Sequence, residues 1–158
     1  MTIAPDVHLG KGVMIAHPEL VNIYGCAIGD HTSIGPFVEI QGDVLIGRLC
    51  KISSHSFICS GVTIADEVFV GHGVLFTNDR FPRATVGRRR AVESDWRLER
   101  TWVGTRTAIG SGAVILGGIT IGTDVTVGAG AVVTRDVSDG VTVAGVPARA
   151  EFGTGRGQ

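Results

Sequence analysis

The chain has 158 residues and a formal net charge of -1, and only 6% of its residues are aromatic although 44% are hydrophobic. This length predicts a single domain over 1–158. The near-neutral charge argues against nucleic acid as the main partner. Every apolar run is interrupted before it reaches the roughly 20 residues of a membrane span, so we expect no membrane segment.

The N-terminus and the cysteines indicate the compartment. The first residues lack the pattern of a signal peptide. Cys26, Cys50 and Cys59 are odd in number and lack the spacing of metal ligands. We therefore expect a cytoplasmic protein whose reduced thiols pack in the interior and which binds no metal. A reactive cysteine is the alternative.

A repeat of six residues begins weakly at the start of the chain. Its first apolar positions are Ile3, Leu9, Ile15 and Val21. The next such residue, Ile28, follows Val21 after seven residues rather than six. We expect the extra residue to form a bulge at a corner, near 17–18 or near 24–25.

From Ile28 the repeat is strict. An aliphatic or aromatic residue occupies every sixth position: Ile28, Ile34, Ile40, Ile46, Ile52, Ile58, Ile64, Val70 and Phe76. A small or branched residue lies four positions after each of the first eight: Thr32, Val38, Val44, Cys50, Ser56, Val62, Val68 and Val74. Residues four apart on an extended strand point the same way, so both series face one side. A period of six predicts a solenoid of short strands with both series inside.

Residues 80–102 interrupt the repeat. They contain no hexapeptide, and the series resumes as Val103, Ile109, Ile115, Ile121, Val127 and Val133. The 27 residues from Phe76 to Val103 are not a multiple of six, so we predict a protruding excursion loop rather than a degenerate coil. From about Asp139 the repeat fades, and we expect a short irregular tail.

The repeat and several local motifs resemble those of the hexapeptide-repeat acyltransferases. The motifs are VFVGHGVLFTNDRFPRA, GAVILGGITIG, GAGAVVTRDV and GVPAR. The resemblance implies an all-β, left-handed parallel β-helix, although parallel crossovers are nearly always right-handed. It also implies a homotrimer that binds an acyl-coenzyme A along the groove between neighbouring rods.

Within that family the motifs are most similar to the N-acetyltransferases of nucleotide-linked amino sugars. This similarity implies transfer of an acetyl group from acetyl-CoA to the amino group, at C3, of a dTDP- or UDP-linked sugar. In that subfamily an Asn at the place of Asn78 holds the sugar amine. Asp79 would then balance the charge of the amine as it becomes cationic, and His72 would accept its proton. The alternative is that Asn78 and Asp79 only form a turn and that His72 is solvated.

The excursion loop supplies the remaining expected substrate contacts. We expect Arg83, held in place by Pro82, to meet the diphosphate, with Phe81 in the same site. Trp96 either stacks on the base or caps the apolar wall of the rod. Eight of the fourteen basic residues lie between Arg80 and Arg106. For Arg88, Arg89 and Arg90 we expect a solvated surface with Glu93, Asp95 and Glu99 as partners.

The coenzyme contacts follow from the resemblance alone. Residues matching Ser111 and Ala129 offer backbone groups to the pantetheine arm in that family. Those matching Thr134, Arg135 and Arg149 lie near the nucleotide end, where cations suit phosphates. The alternative for the two arginines is ordinary surface charge.

Three other functions are compatible with a solenoid. The related O-acetyltransferases carry a catalytic histidine in the excursion loop, and residues 80–102 contain no histidine. An alcohol needs a base to become a nucleophile whereas a neutral amine does not, so hydroxyl acylation is the weaker alternative. A γ-type carbonic anhydrase needs a histidine pair five residues apart, and the chain has none. A scaffold protein would need neither the loop nor the GVPAR tail.

Overall fold

The computed structural model describes residues 3–151, and short parallel strands form three sheets that are the faces of a rod. The first face contains β1 His8–Leu9, β4 Ala27–Ile28, β7 Leu45–Ile46, β10 Val62–Ile64, β15 Thr101–Val103 and β18 Thr120–Ile121. The second contains β2 Met14–Ile15, β5 Ser33–Ile34, β8 Lys51–Ile52, β11 Phe69–Val70, β16 Ala108–Ile109, β19 Thr126–Val127, β21 Thr142–Ala144 and β22 Arg149–Ala150. The third contains β3 Asn22–Ile23, β6 Glu39–Ile40, β9 Phe57–Ile58, β12 Leu75–Phe76, β17 Val114–Ile115 and β20 Val132–Val133.

The core of the rod consists of the two series that the sequence places inside. Every residue of both series from Ile28 to Phe76 is at most 4% exposed. Successive coils stack in register 18 residues apart, so that Ile28 pairs with Ile46 and Ile46 with Ile64. The predicted fold class, an all-β left-handed parallel β-helix with one excursion loop, is confirmed.

Close stacking explains the small residue that follows most inward positions. A Cβ added at Gly29 would lie 2.5 Å from the carbonyl carbon of Gly47, and one at Gly110 would lie 2.5 Å from the backbone nitrogen of Ala129. A larger side chain there would push adjacent coils apart. The repeat therefore selects glycine or another small residue at the start of each corner.

The first coil differs from the predicted register. Ile23, not Val21, continues the stacked series, because it pairs with Ile3 below and Ile40 above. The short 3-10 helix Pro18–Leu20 adds two residues before Ile23, and the corner after it is one residue short. The net insertion of one residue is therefore the sum of two extra residues near 17–18 and one missing residue near 24–25, the two places that the sequence indicated. Val21 is fully buried at the other inward position.

The excursion loop ends two residues earlier than the sequence indicated. Thr101 and Trp102 already belong to β15 and pair with Val62 and Thr63. The loop contains an antiparallel hairpin, β13 Thr85–Val86 and β14 Arg89–Arg90, followed by a 3-10 helix, Glu93–Asp95. Its two ends are joined where the Glu99 backbone nitrogen donates a hydrogen bond of 2.9 Å to the Asn78 carbonyl oxygen.

The chain beyond Asp139 is more regular than the predicted tail. Residues Thr142–Ala144 add a further parallel strand to the second face, with Val143 buried. After a cis bond between Val146 and Pro147 the chain returns as the antiparallel strand β22. The rest of the predicted tail, 152–158, lies outside the described residues. Within residues 3–151 no helix is long and apolar enough to cross a bilayer.

All three cysteines are free and buried, as predicted. Burial raises the pKa of the Cys26 thiol and of the Cys59 thiol to about 11, from 9.0 for an unperturbed thiol. The unfolded chain therefore loses these two protons at a lower pH than the folded chain. The stability contributed by the neutral thiols is complete below about pH 9 and is lost as the pH rises towards about 11.

We therefore expect the free energy of unfolding to fall between about pH 9 and pH 11, and to fall less in a Cys26→Ala/Cys59→Ala double variant. Urea unfolding of both proteins across this range measures the difference. Lysine and tyrosine side chains also titrate in this range, but they do so in both proteins, so their contribution cancels in the comparison. Equal pH slopes for the two proteins would contradict the assignment.

Candidate active site

Asn78 lies at the corner where the chain turns from the third face to the first. The coil before it places Ser60 at the same corner, and the Asn78 side-chain Nδ2 donates a hydrogen bond of 3.1 Å to the Ser60 carbonyl oxygen. The coil after it places Gly117 there, with its Cα so near that an added Cβ would lie 3.0 Å from the Cα of Asn78. This packing holds the amide with its NH2 group towards the rod, which leaves Oδ1 as the acceptor for an incoming group.

Asp79 follows at the point where the loop leaves the rod. Its Oδ1 accepts a hydrogen bond of 2.8 Å from the Phe81 backbone nitrogen. One carboxylate oxygen thus stabilises a turn, which is the role that the alternative to a catalytic function predicts for Asp79. The side chain also lines the clefts beside the loop.

Two clefts adjoin the excursion loop: the Asn78 cleft, which is lined by residues within 78–96 alone, and a second cleft between the loop and the rod. One, of about 740 Å³, contains Asn78, Asp79, Arg83 and Trp96. The other, of about 960 Å³, shares Asn78, Asp79 and Trp96 and continues along the apolar side chains of Phe57 and Leu98. The structure therefore brings together four of the residues that the sequence predicts for the acceptor site.

Phe81 does not join this group. It is 79% exposed and lines a different cleft, together with Arg80 and Arg97. The turn that Asp79 forms directs the chain so that Pro82 and Arg83 face the Asn78 cleft while Phe81 does not. The prediction that Phe81 contacts the substrate has no support in the geometry of one protomer.

The base of the loop is held by several polar contacts. Arg80 Nε donates a hydrogen bond of 2.8 Å to the Gly117 carbonyl oxygen and lies 2.9 Å from Glu99 Oε2. At the other end, Arg100 forms an ion pair of 2.7 Å with Asp43 on the rod. These contacts join the loop to two coils of the rod, one before the loop and one after it, so the position of Asn78 relative to the loop is well defined.

His72 lies at another corner, where the chain turns from the second face to the third. Its Nδ1 lies 2.9 Å from Ser54 Oγ, one coil before, and its backbone nitrogen donates a hydrogen bond of 3.1 Å to Ser111 Oγ, one coil after. Ala129 occupies the same corner on the next coil. His72 thus lies at the same corner as the predicted coenzyme residues Ser111 and Ala129, on the coil before them. Strand β12 separates His72 from Asn78, and His72 lines neither of the two clefts beside the loop.

The remaining predicted coenzyme residues meet at the C-terminal end of the rod. Arg135 and Arg149, both exposed, line a small cleft of about 270 Å³. Thr134 immediately precedes Arg135 and is half-buried. The fold therefore joins two cations that are 14 residues apart in sequence.

Arg90 is the residue that sequence reasoning missed. Arg89 behaves as expected, because its guanidinium makes two hydrogen bonds of 2.7 Å to Asp95. These bonds, with that from the Val92 backbone nitrogen, hold the pKa of Asp95 below its ordinary value. Arg90 instead lines the Asn78 cleft together with Arg83. No hexapeptide pattern exists in the loop that could have distinguished these neighbouring arginines.

Within residues 3–151 no group of three or more His, Cys, Asp or Glu side chains could hold a metal ion.

Three parallel sheets built from six-residue units give the chain the architecture of a hexapeptide-repeat protein. The model of the family "Bacterial transferase hexapeptide (six repeats)" matches residues 25–60 and 100–135. The two matched blocks lie on either side of the excursion loop. The resemblance inferred from the sequence is confirmed.

Known proteins of this class match most of the chain. The bifunctional protein GlmU of Acaryochloris marina is 28% identical over 147 residues, which cover 90% of this chain and 31% of GlmU. The chain thus spans about 31% of the length of this curated relative. The acetyltransferase VCA0836 of Vibrio cholerae, solved with acetyl-coenzyme A, is 26% identical with a TM-score of 0.65, and the match covers 84% of this chain and 70% of VCA0836.

AntD, an N-acyltransferase from Bacillus cereus, has the same fold. A structure of AntD with dTDP and coenzyme A superposes with a TM-score of 0.79 at 21% identity, covering 94% of this chain and 84% of AntD. Another contains dTDP-4-amino-4,6-dideoxyglucose and coenzyme A.

Proposed function

We propose that the protein transfers an acetyl group from acetyl-CoA to the amino group, at C3, of a dTDP- or UDP-linked amino sugar. The observation that carries the proposal is the Asn78 cleft, where a fixed amide acceptor and a carboxylate lie at the rod and two arginines lie on the loop. A nucleotide-linked amino sugar carries the two complementary groups: an amine, which suits the amide oxygen and the carboxylate, and an anionic diphosphate, which suits the arginines. The ligand of AntD supports a nucleotide-linked amino sugar as the acceptor, with its own amine at C4, and the ligand of VCA0836 supports acetyl-CoA as the donor. The position C3 comes from the resemblance of the sequence motifs alone.

The corner of His72, Ser111 and Ala129 is the proposed place of the acyl donor. Three glycines follow these residues on the same corner: Gly73, Gly112 and Gly130. All three have positive φ, and an added Cβ would meet no atom closer than 3.9 Å. A thin chain such as pantetheine can therefore approach the backbone there. Arg135 and Arg149, at the rod end, would pair with coenzyme phosphates.

A complete site requires more than one protomer in this proposal. Asn78 and the donor corner lie on opposite edges of the third face, so a single rod does not enclose both ligands. We therefore propose a homotrimer in which the donor corner of one protomer faces the loop of its neighbour.

Light scattering tests this assembly. We expect a mass of three times the chain mass of 16.5 kDa at working concentrations. A monomer at the concentrations where acyl transfer is measured would contradict the composite site.

The chemistry requires little of the protein beyond positioning. The neutral amine attacks the thioester carbonyl, and Asn78 Oδ1 accepts one amine hydrogen so that the nitrogen lone pair points at the carbonyl carbon. A backbone N–H along the donor corner stabilises the oxyanion. As the C–N bond forms and the C–S bond breaks, the amine proton passes to the departing thiolate or to His72. Asp79 stabilises the transient cation.

A matched pair of acceptors tests the function. Acetyl-CoA consumption is measured with a dTDP- or UDP-linked 3-amino sugar and with the same nucleotide sugar carrying a hydroxyl at C3. We expect acetylation of the amine and none of the hydroxyl. Transfer to the hydroxyl alone would favour the O-acetyltransferase alternative and refute the proposal.

A further inference from the structure

The hairpin of the excursion loop sorts its arginines onto two sides. Thr85 pairs with Arg90 and Val86 with Arg89, and Gly87 and Arg88 form the turn with φ of 54° and 65°. Adjacent strand residues point to opposite faces, so Arg89 and Arg90 diverge. On one side, the Arg89 guanidinium donates two hydrogen bonds to the Asp95 carboxylate. Arg90 points into the cleft on the other.

Arg83 reaches the same cleft from the strand that enters the hairpin. The Ala91 backbone nitrogen donates to the Ala84 carbonyl oxygen at 3.0 Å, which extends the ladder by one pair and places Arg83 opposite Val92. Arg83 and Arg90 are then diagonal neighbours on one hairpin face, a relation that separates Cα atoms by about 7–8 Å. Two guanidinium groups with this spacing can hold one anion between them.

Two carboxylates, Asp79 and Glu93, line the same cleft as these arginines. Asp79 stands at the exit from the rod, and Glu93 begins the 3-10 helix after the hairpin. Neither forms an ion pair with Arg83 or Arg90 in residues 3–151, whereas Arg80, Arg89 and Arg100 each have a carboxylate partner. Trp96, half-exposed in the same cleft, offers a flat apolar surface beside the pair.

We infer that Arg83 and Arg90 together bind the diphosphate of the acceptor, and that Arg90 determines the preference for a diphosphate over a monophosphate. The inference rests on the proposed function and assigns to Arg90 a binding role. A diphosphate has two anionic groups and therefore uses both guanidinium forks, while a monophosphate uses one. A bound diphosphate also reduces the repulsion between the two neighbouring guanidinium groups.

Calorimetric titration of the full chain with dTDP, dTMP and thymidine tests the pair without any acyl transfer. For Arg90→Gln we expect at least a tenfold loss of dTDP affinity, a smaller loss for dTMP and no change for thymidine. Arg88→Gln is the matched control, because Arg88 is exposed at the turn of the same hairpin and does not line the cleft. Melting curves of both variants show whether the hairpin is retained.

The outcomes separate the inference from the proposed function. Unchanged dTDP affinity in Arg90→Gln, or an equal loss in Arg88→Gln, overturns the diphosphate pair even if acetylation proceeds. Dependence of dTDP affinity on Arg90, with no amino sugar acetylated, supports the pair and removes the proposed function. Inorganic pyrophosphate that competes with dTDP in the wild type but not in Arg90→Gln would confirm that the contact is with the diphosphate.

Discussion

Asn78→Ala should lower kcat/KM for the amino-sugar acceptor by about 100-fold or more. The variant loses the Oδ1 acceptor that aligns the amine and the bond from Nδ2 to the Ser60 carbonyl oxygen. Steady-state kinetics with both substrates would show the loss in kcat/KM for the acceptor. The lost hydrogen bond itself should cost only about 1 kcal/mol of stability, so the variant should remain folded.

Two comparisons make this result interpretable. Asn22→Ala, on the outer side of the third face in the first coils, removes the same group far from the loop and should leave activity unchanged. Asp79→Ala should lose less activity than Asn78→Ala, and His72→Ala should lose little to moderate activity. An inactive His72→Ala variant beside a nearly fully active Asn78→Ala variant would mean that a histidine base drives the reaction.

Ile52→Asp is expected to prevent folding or to cost several kcal/mol of stability. Ile52 is 1% exposed, and its strand β8 lies between β5 and β11 in the second face, so a carboxylate there would have no partner and no water. Ile34→Asp should behave in the same way. Circular dichroism and chemical denaturation measure the effect.

The preceding residue provides the matched control. Lys51 lies on the same strand but points outward, so Lys51→Asp should change stability by less than about 1 kcal/mol. Arg89→Ala should likewise have a small effect, because the Arg89 side chain is exposed and its removal leaves no cavity in the rod. Equal destabilisation by Ile52→Asp and Lys51→Asp would contradict the six-residue interpretation of the core.

The excursion loop shows where prediction from the sequence ends. The interruption of the repeat locates the loop to within two residues, because a regular period reveals any segment that departs from it. Inside the loop no period exists, so the sequence alone does not distinguish Arg89 from Arg90 or show that Phe81 faces away from the cleft. These orientations depend on the hairpin register and on the Asp79 turn, which are tertiary features.

The sequence by itself determined the rod, its core and the place of the candidate site beside the loop. It could do so because the narrow interior requires an apolar or small side chain at two positions of every hexapeptide, and Asn78 follows the last regular strand before the interruption. Only the tertiary structure decided that Ile23 rather than Val21 continues the stack, since both residues are apolar and face inward. It alone added Arg90 to the cleft that contains Arg83 and Trp96, because the loop has no period from which the orientation of its side chains could be predicted.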